Sequence, residues 1–449
     1  MCLIRQNVWI GIAAIIIMVT SACKRDDFTT APVGEAVPFT DTVTVTLKEG
    51  LAQSPYTFFY NAWVHSNMDR ILLETGDLKG QYTLLVPTNA AMDAAGWNDA
   101  SIPQAIAGKL DTFLMRYVFL GRITAEELMA KPDSYMAESL LAYGGLWYQL
   151  DAQTRVPYHF RAAMAISEDK LSVNDKVLGI GQAIPTKDGY IWPISGTVAV
   201  PTLTAWEALL ADARFSLYTK LILYTDGRYR EMFESANGYP PSDNSHPNGQ
   251  AYNRNSLDYY DMSNHYDALS DRYYSASLNT WFIPTDDAFR QAGFNTLEDL
   301  IAFNMKRGGP STVLYTPFGQ EPYYGIVGEF ATDTLLDYHD NWGRRIDNFT
   351  ETRNRNPTLF FNNDLKQPIL NDYPIAVYTR IVRHLIFPMT DHTVTTYHRM
   401  PLEFLNDGRV RVISSTAEPA GLVGEEIYSV NGVIHAVDHL LLPTGYLMD

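Results

Sequence analysis

One stretch of this chain occurs twice, and that repetition limits the fold more than any other feature. Tyr82-Thr83-Leu84-Leu85-Val86-Pro87-Thr88-Asn89-Ala90-Ala91-Met92 reads against Asn279-Thr280-Trp281-Phe282-Ile283-Pro284-Thr285-Asp286-Asp287-Ala288-Phe289 at an offset of 197. Ala95-Gly96-Trp97-Asn98 and Ala292-Gly293-Phe294-Asn295 keep that offset. Two segments in one register point to two copies of one structural unit. The local chemistry of the unit is legible. Strand-prone residues end at a proline, which cannot donate to a sheet ladder and closes the strand. Thr88 or Asn89, and Thr285 or Asp286, then supply the N-cap of a short helix, which runs to a glycine stop.

Further matches surround the pair. Residues 56–73 and 215–233 both carry apolar side chains at helical spacing, offset by about 159. Residues 110–120 are read as parallel to 378–388, at an offset of 267 where Arg116 stands against Arg383. Each half closes with a turn and a strand: Gly189-Tyr190-Ile191-Trp192 before Pro201, and Asn431-Gly432-Val433-Ile434-His435 before Pro443. The growing offset gives the second copy about 38 extra residues near 234–275 and about 70 more within 303–372. Inserts of this kind are where binding surfaces concentrate.

This order of elements resembles the fasciclin (FAS1) family. The second half carries the motifs of that resemblance as Pro284 to Phe289, His384 to Pro388 and Asn431 to His435. The first half is divergent, with Tyr117 where the histidine would stand. The resemblance implies an α+β fold with two FAS1-like domains, 46–202 and 203–449, each a β-sheet wedge flanked by helices. It also implies adhesion and extracellular binding rather than catalysis, and a core role for His384, whose ring would hydrogen-bond nearby backbone.

The N-terminus reads as an address and a tether. Arg5 precedes an apolar run from Val8 to Val19, too short to span a bilayer and suited to a signal peptide. Thr20-Ser21-Ala22-Cys23 resembles the bacterial lipobox, so residues 1–23 are expected to be a lipoprotein signal ending at a lipidated Cys23. Two or three acyl chains would hold the chain at a membrane. Lys24-Arg25-Asp26-Asp27 is similar to signals that route lipoproteins to the outer surface, and 24–45 reads as an extended tether.

Charge and cysteine content exclude several functions. The formal charge is −17, with no local cluster of Lys and Arg, so nucleic acid is not an expected partner. Cys2 and Cys23 are the only cysteines, which rules out disulfides, thiolate nucleophiles and cysteine-ligated zinc beyond residue 23. No Gly-x-Ser-x-Gly elbow, His-Glu-x-x-His helix or phosphate-cradling loop is present. No cofactor is expected. His435 and His439, His392 and His398 beside Asp391, and the aspartates of the first insert (Asp243, Asp258, Asp261, Asp267, Asp271) lack the spacing of a metal site.

The expected contact surface is the tyrosine-rich first insert. Tyr259, Tyr260, Tyr273 and Tyr274 are the candidate ligand-binding residues; Tyr239, Tyr252 and Tyr266 accompany them, and Tyr323, Tyr324 and Trp342 lie in the second insert. Such polar-aromatic composition suits glycan or protein contact. The expected function is therefore a non-catalytic envelope binding or adhesion protein, tethered by an N-terminal lipid, probing a glycan or a surface protein. The rivals are an envelope scaffold or an accessory of a polysaccharide uptake system, and then a glycan hydrolase with carboxylates in the inserts.

Overall fold

A computed structural model of the protein describes residues 43–75, 81–131, 133–149, 155–167, 169–241, 265–267, 272–274, 279–316, 321–340, 352–353, 359–371, 374–382, 391–399 and 401–446. The fold is α+β, and residues Val45–Asp449 group into one compact unit. Cys23 and residues 24–42 of the expected tether lie outside the described residues.

The first half builds an eight-stranded sheet from β1 (Tyr82–Pro87), β2 (Val118–Leu120), β3 (Tyr135–Gln149), β4 (Arg155–Ser167), β5 (Lys170–Val173), β6 (Lys176–Val177), β7 (Ile184–Thr186) and β8 (Gly189–Ile194). Their order is β6-β5-β4-β3-β2-β1-β8-β7, and every pairing is antiparallel except β1 with β8. The second half carries β9 (His265–Asp267), β10 (Arg272–Tyr274), β11 (Asn279–Pro284), β12 (Ser311–Tyr315), β13 (Tyr323–Val327), β14 (Thr352–Arg353), β15 (Pro374–Val382), β16 (Asp391–Arg399), β17 (Leu402–Phe404), β18 (Val410–Val412), β19 (Ile427–Ser429) and β20 (Gly432–Val437).

The repeated segments make the same contacts in both halves. Strand β1 runs parallel to β8, from Tyr82 beside Gly189 to Pro87 beside Ile194. Strand β11 runs parallel to β20, from Asn279 beside Gly432 to Pro284 beside Val437. Each proline ends its strand, and the threonine after it takes two jobs in turn. The N–H of Thr88 donates to Ile194 O at 3.0 Å, and that of Thr285 donates to Val437 O at 3.0 Å. Their hydroxyls then cap the next helix, accepting from Ala91 N at 3.2 Å and Ala288 N at 3.3 Å. The following side chain reaches back to the preceding helix. Asn89 Oδ1 accepts from Phe58 N at 3.1 Å, at the start of helix Thr57–Val64, and Asp286 Oδ1 from Leu217 N at 2.7 Å, at the start of helix Ser216–Asn237. An orphan N–H of a helix start is thereby satisfied from 31 and 69 residues away.

Alternation along β11 sorts the second core. Trp281 and Ile283 turn to Leu217, Leu221, Leu300, Leu335 and Ile434, while Phe282 turns to Leu402, Phe404, Val410 and Val437. The first core, from Leu47 to Val198, is drawn wholly from the first half. A fourth cluster crosses between the halves: Leu141, Tyr158, Phe160 and Ala163 pack with Leu359, Phe361, Val430 and Val433. Burying side chains of this size contributes about 1.5–3 kcal/mol each.

One expected correspondence is overturned. Residues 110–115 lie in helix Ala107–Met115, but 378–382 lie in β15, which pairs with β16 along its whole length. Apolar content matched between the two segments while period did not: Ile375, Val377, Thr379 and Ile381 alternate as in a strand. The second-half counterpart is helix Ala331–Asp340, where Asp333-Thr334-Leu335-Leu336-Asp337-Tyr338-His339 stands against Asp111-Thr112-Phe113-Leu114-Met115-Arg116-Tyr117 at an offset of 222. Contacts support this register. Asp111 accepts from Asn67 N at 2.7 Å, at the head of helix Met68–Glu74, and Asp333 from Tyr229 Oη at 2.6 Å, within helix Ser216–Asn237. Tyr117 O accepts from Leu85 N at 2.9 Å, and the His339 ring meets the carbonyl of Phe282, the repeat partner of Leu85.

Candidate functional site

Two places in the described residues have the makings of a site: an exposed hairpin in the second insert and a crevice between the halves. The hairpin is β12–β13, paired from Ser311 beside Val327 to Tyr315 beside Tyr323. It is anchored from below. Ile326 is buried against Tyr229 and Phe233 of helix Ser216–Asn237, and Asn237 grips the backbone of Tyr324, donating to its O at 2.9 Å and accepting from its N at 2.7 Å. The remainder faces outward: Val313, Leu314, Tyr323 and Tyr324 are 43, 50, 36 and 40% exposed. The Tyr315 ring stacks on Tyr323 at 5.7 Å and lies over Gly325, where a Cβ would come within 2.5 Å of it. Glycine there lets an aromatic pair lie flat on the hairpin.

The crevice is a cavity of about 480 Å³ lined by the β5–β6 turn, residues 197–199, Asn362, Glu425, Glu426 and Tyr428. Asn174 and Asp175 form the tip of the β5–β6 hairpin with φ of 49° and 60°, as a two-residue I′ turn requires. Asn174 locks the turn to β4, its Oδ1 accepting from Ala163 N at 2.9 Å, and Asp175 is thereby held at the rim. Across the crevice, Glu426 accepts from Asn362 N at 2.7 Å, and Lys176 Nζ lies 3.2 Å from Glu425 at the open edge. Behind them, Asp364 accepts from Ser134 N at 2.7 Å and Asn363 Nδ2 donates to Ser134 Oγ at 3.0 Å. Tyr428 Oη donates to Arg161 O at 2.8 Å.

The electrostatics of this seam are unusual. Burial pushes Glu426 up to about 8, against the Asn362 hydrogen bond, and the charges of Asp175 and Asp364 push the same way. Burial also raises Asp175 and Asp364. Burial therefore disfavours the anionic form of several carboxyl groups gathered in one space. None of these residues was singled out in the sequence. The Asn-Asp pair between two short apolar runs was the one visible signal; Glu425-Glu426 offered none.

The sequence-predicted site residues fare unevenly. Tyr259 and Tyr260 lie outside the described residues. Tyr273 and Tyr274 fall in β10, where Tyr273 pairs with Tyr266 of β9 and Tyr274 with His265; their side chains lie outside the described set. Tyr239 packs edge-on against Phe233 and is 51% exposed. His384 lies outside the described residues, and the core histidine seen against the central strand is His339. Its ring is fully buried, Nδ1 donating to Phe282 O at 2.6 Å and Nε2 accepting from Leu441 N at 2.9 Å. His435 and His439 do not converge: His435 Nε2 meets Phe360 O at 2.7 Å, and His439 Nδ1 meets Asp438 Oδ1 at 2.8 Å. Burial lowers both His339 and His435 to about 4, so both are neutral at pH 7.

No protein-family model matches the sequence, and no curated protein matches it. Among solved structures, the chain is similar to a FAS1 domain pair from the insect cell adhesion molecule fasciclin I, at 13% identity over 87% of this chain and 97% of that one. The TM-score is 0.23. The α+β fold described here rests on the two repeated strand, cap and helix units.

Proposed function

We propose that this protein is a non-catalytic binding or adhesion protein of the cell envelope, held by a lipid on Cys23, with the β12–β13 hairpin as its contact surface. The observation that carries the reading is the hairpin itself. It presents Val313, Leu314, Tyr323 and Tyr324 outward from a rigid base, in a stretch that the repeated unit does not need. Amphipathic aromatic side chains on a fixed scaffold supply contact area at low entropic cost. The lipobox and the charged residues after it support display at an envelope surface. The partner is a glycan or a surface protein.

The test is binding of the full chain to arrayed polysaccharides and extracellular proteins, repeated with Leu314→Ser and Tyr324→Ser. Loss of a saturable signal with unchanged melting temperature supports the hairpin. An unchanged signal in both variants removes it as the contact surface.

A glycan hydrolase is the rival favoured by one observation, the gathering of Glu426, Asp175 and Asp364 at a crevice where burial raises all three carboxyl groups. Against it, Glu426 and Asp364 already accept backbone N–H groups of the seam. Polysaccharide turnover abolished by Glu426→Gln would reinstate the hydrolase.

A further inference from the structure

We propose that the seam between the two halves is a pH-sensitive latch, closed while Glu426 holds a proton and loosened when it ionises against Asp175 and Asp364. This goes beyond the binding reading, because it concerns how the halves are held and not what the hairpin contacts.

The geometry is that of a joint with one hydrophobic side and one acidic side. The hydrophobic side is the cluster of Leu141, Tyr158, Phe160 and Ala163 with Leu359, Phe361, Val430 and Val433. The acidic side is the crevice of about 480 Å³, where the β5–β6 turn of the first half meets Asn362 and residues 425–428 of the second. Among the described residues, the bonds that cross it include Ser134 N to Asp364, Asn363 to Ser134, Tyr428 to Arg161 O, those of Asp175 with the Asn362 side chain and the Asn363 backbone, and the exposed Lys176–Glu425 pair. The chain link between the halves, around Val200-Pro201-Thr202, is short and adds no buried strand.

The groups facing Glu426 come from each packed segment. Asp175 and Lys176 come from the β5–β6 turn, Asp364 from the Asn362–Asp364 turn, and Glu425 and Tyr428 from its own segment. Lys366 acts on Asp175, and Asp133 on Asp364. Lys176 is the cation that favours ionised Glu426; Asp175 and Asp364 oppose it, and burial adds to their effect. Protonated, Glu426 adds no charge and keeps its bond from Asn362 N. Ionised, it becomes a further anion in a half-buried space beside Asp175, and water entering the crevice relieves that cost.

The sign follows by linkage. In the closed seam Glu426 titrates near 8, and in an open, hydrated seam near 4.5. Between those values the closed state binds the extra proton, so opening becomes more favourable by up to tenfold per pH unit and levels off above about pH 8.

The experiment is hydrogen exchange by mass spectrometry on the full chain in detergent, from pH 6 to 9, with intrinsic rates divided out. In the wild type, protection of segments 173–178 and 425–430 should fall up to tenfold per unit towards pH 8, while β1 and β11 hold theirs. Glu426→Gln, which keeps the shape of the protonated acid, should abolish the fall. Asp175→Asn should move the fall to lower pH, because it removes a charge that resists ionisation. A wild-type profile flat across this range, or the same fall in Glu426→Gln, would overturn the latch.

Discussion

The ring of His339 and the carbonyl of Phe282 lie 2.6 Å apart in the buried centre of the second half, with Leu441 N–H donating to the other ring nitrogen at 2.9 Å. These bonds fix one tautomer, with the proton on Nδ1, and join helix Ala331–Asp340, β11 and the segment after β20. His339→Ala leaves a buried carbonyl and a buried N–H unpaired and opens space beside them. The expected loss is about 3–5 kcal/mol in urea unfolding. A loss below about 1 kcal/mol would mean that water or repacking replaces both bonds.

Acid should destabilise the fold through two histidines. His339 and His435 titrate at about 4 when folded and near 6.5 when unfolded, so below pH 6.5 the unfolded chain binds the extra protons. Stability therefore falls as pH drops from 6.5 to 4, by up to tenfold in the unfolding constant per unit for each ring. Glu426 acts in the opposite sense from pH 4.5 to 8, so the clean measurement is denaturant unfolding of Glu426→Gln. That variant should lose stability below pH 6.5 and be flat from 6.5 to 8. The wild type should also decline from 6.5 to 8.

Gly189 lies where the backbone of β1 leaves no room for a side chain. A Cβ there would sit 1.7 Å from Tyr82 O, at the first pair of the β1–β8 register. Gly189→Ala should cost several kcal/mol or prevent folding of the first half. Gly108→Ala, in helix Ala107–Met115 with nothing within 4 Å, should instead gain a few tenths to about 1 kcal/mol. Melting temperatures of the two variants separate steric need from helix propensity.

Tyr229 holds the base of the exposed hairpin's neighbourhood. Its hydroxyl donates to Asp333 at 2.6 Å and accepts from Phe330 N at 3.1 Å, and burial beside Asp333 pushes its pKa upward. Tyr229→Phe leaves Asp333 short of a donor and should cost about 1–3 kcal/mol. If the anchor orders the hairpin, exchange protection of residues 323–327 should drop in the same variant.

The amino-acid sequence by itself determined the repeated unit and its chemistry. Val86-Pro87-Thr88 and Ile283-Pro284-Thr285 end a strand and cap a helix, and the glycine-led closing segments became the parallel partners β8 and β20. These features were legible because a proline's missing donor, a threonine cap and a strand period act within a few adjacent residues. Tertiary structure decided the rest. It placed His339 against the central strand, which the residues did not announce, since apolar content alone could not separate the helix at 331–340 from the strand at 374–382. It also decided which face of the second insert is exposed, and it made Glu426 an acid that holds its proton near neutral pH. Nothing beside Glu426 in the chain foretells that: its charge is penalised by burial and by Asp175, some 250 residues earlier, and desolvation exists only once distant segments close around the group.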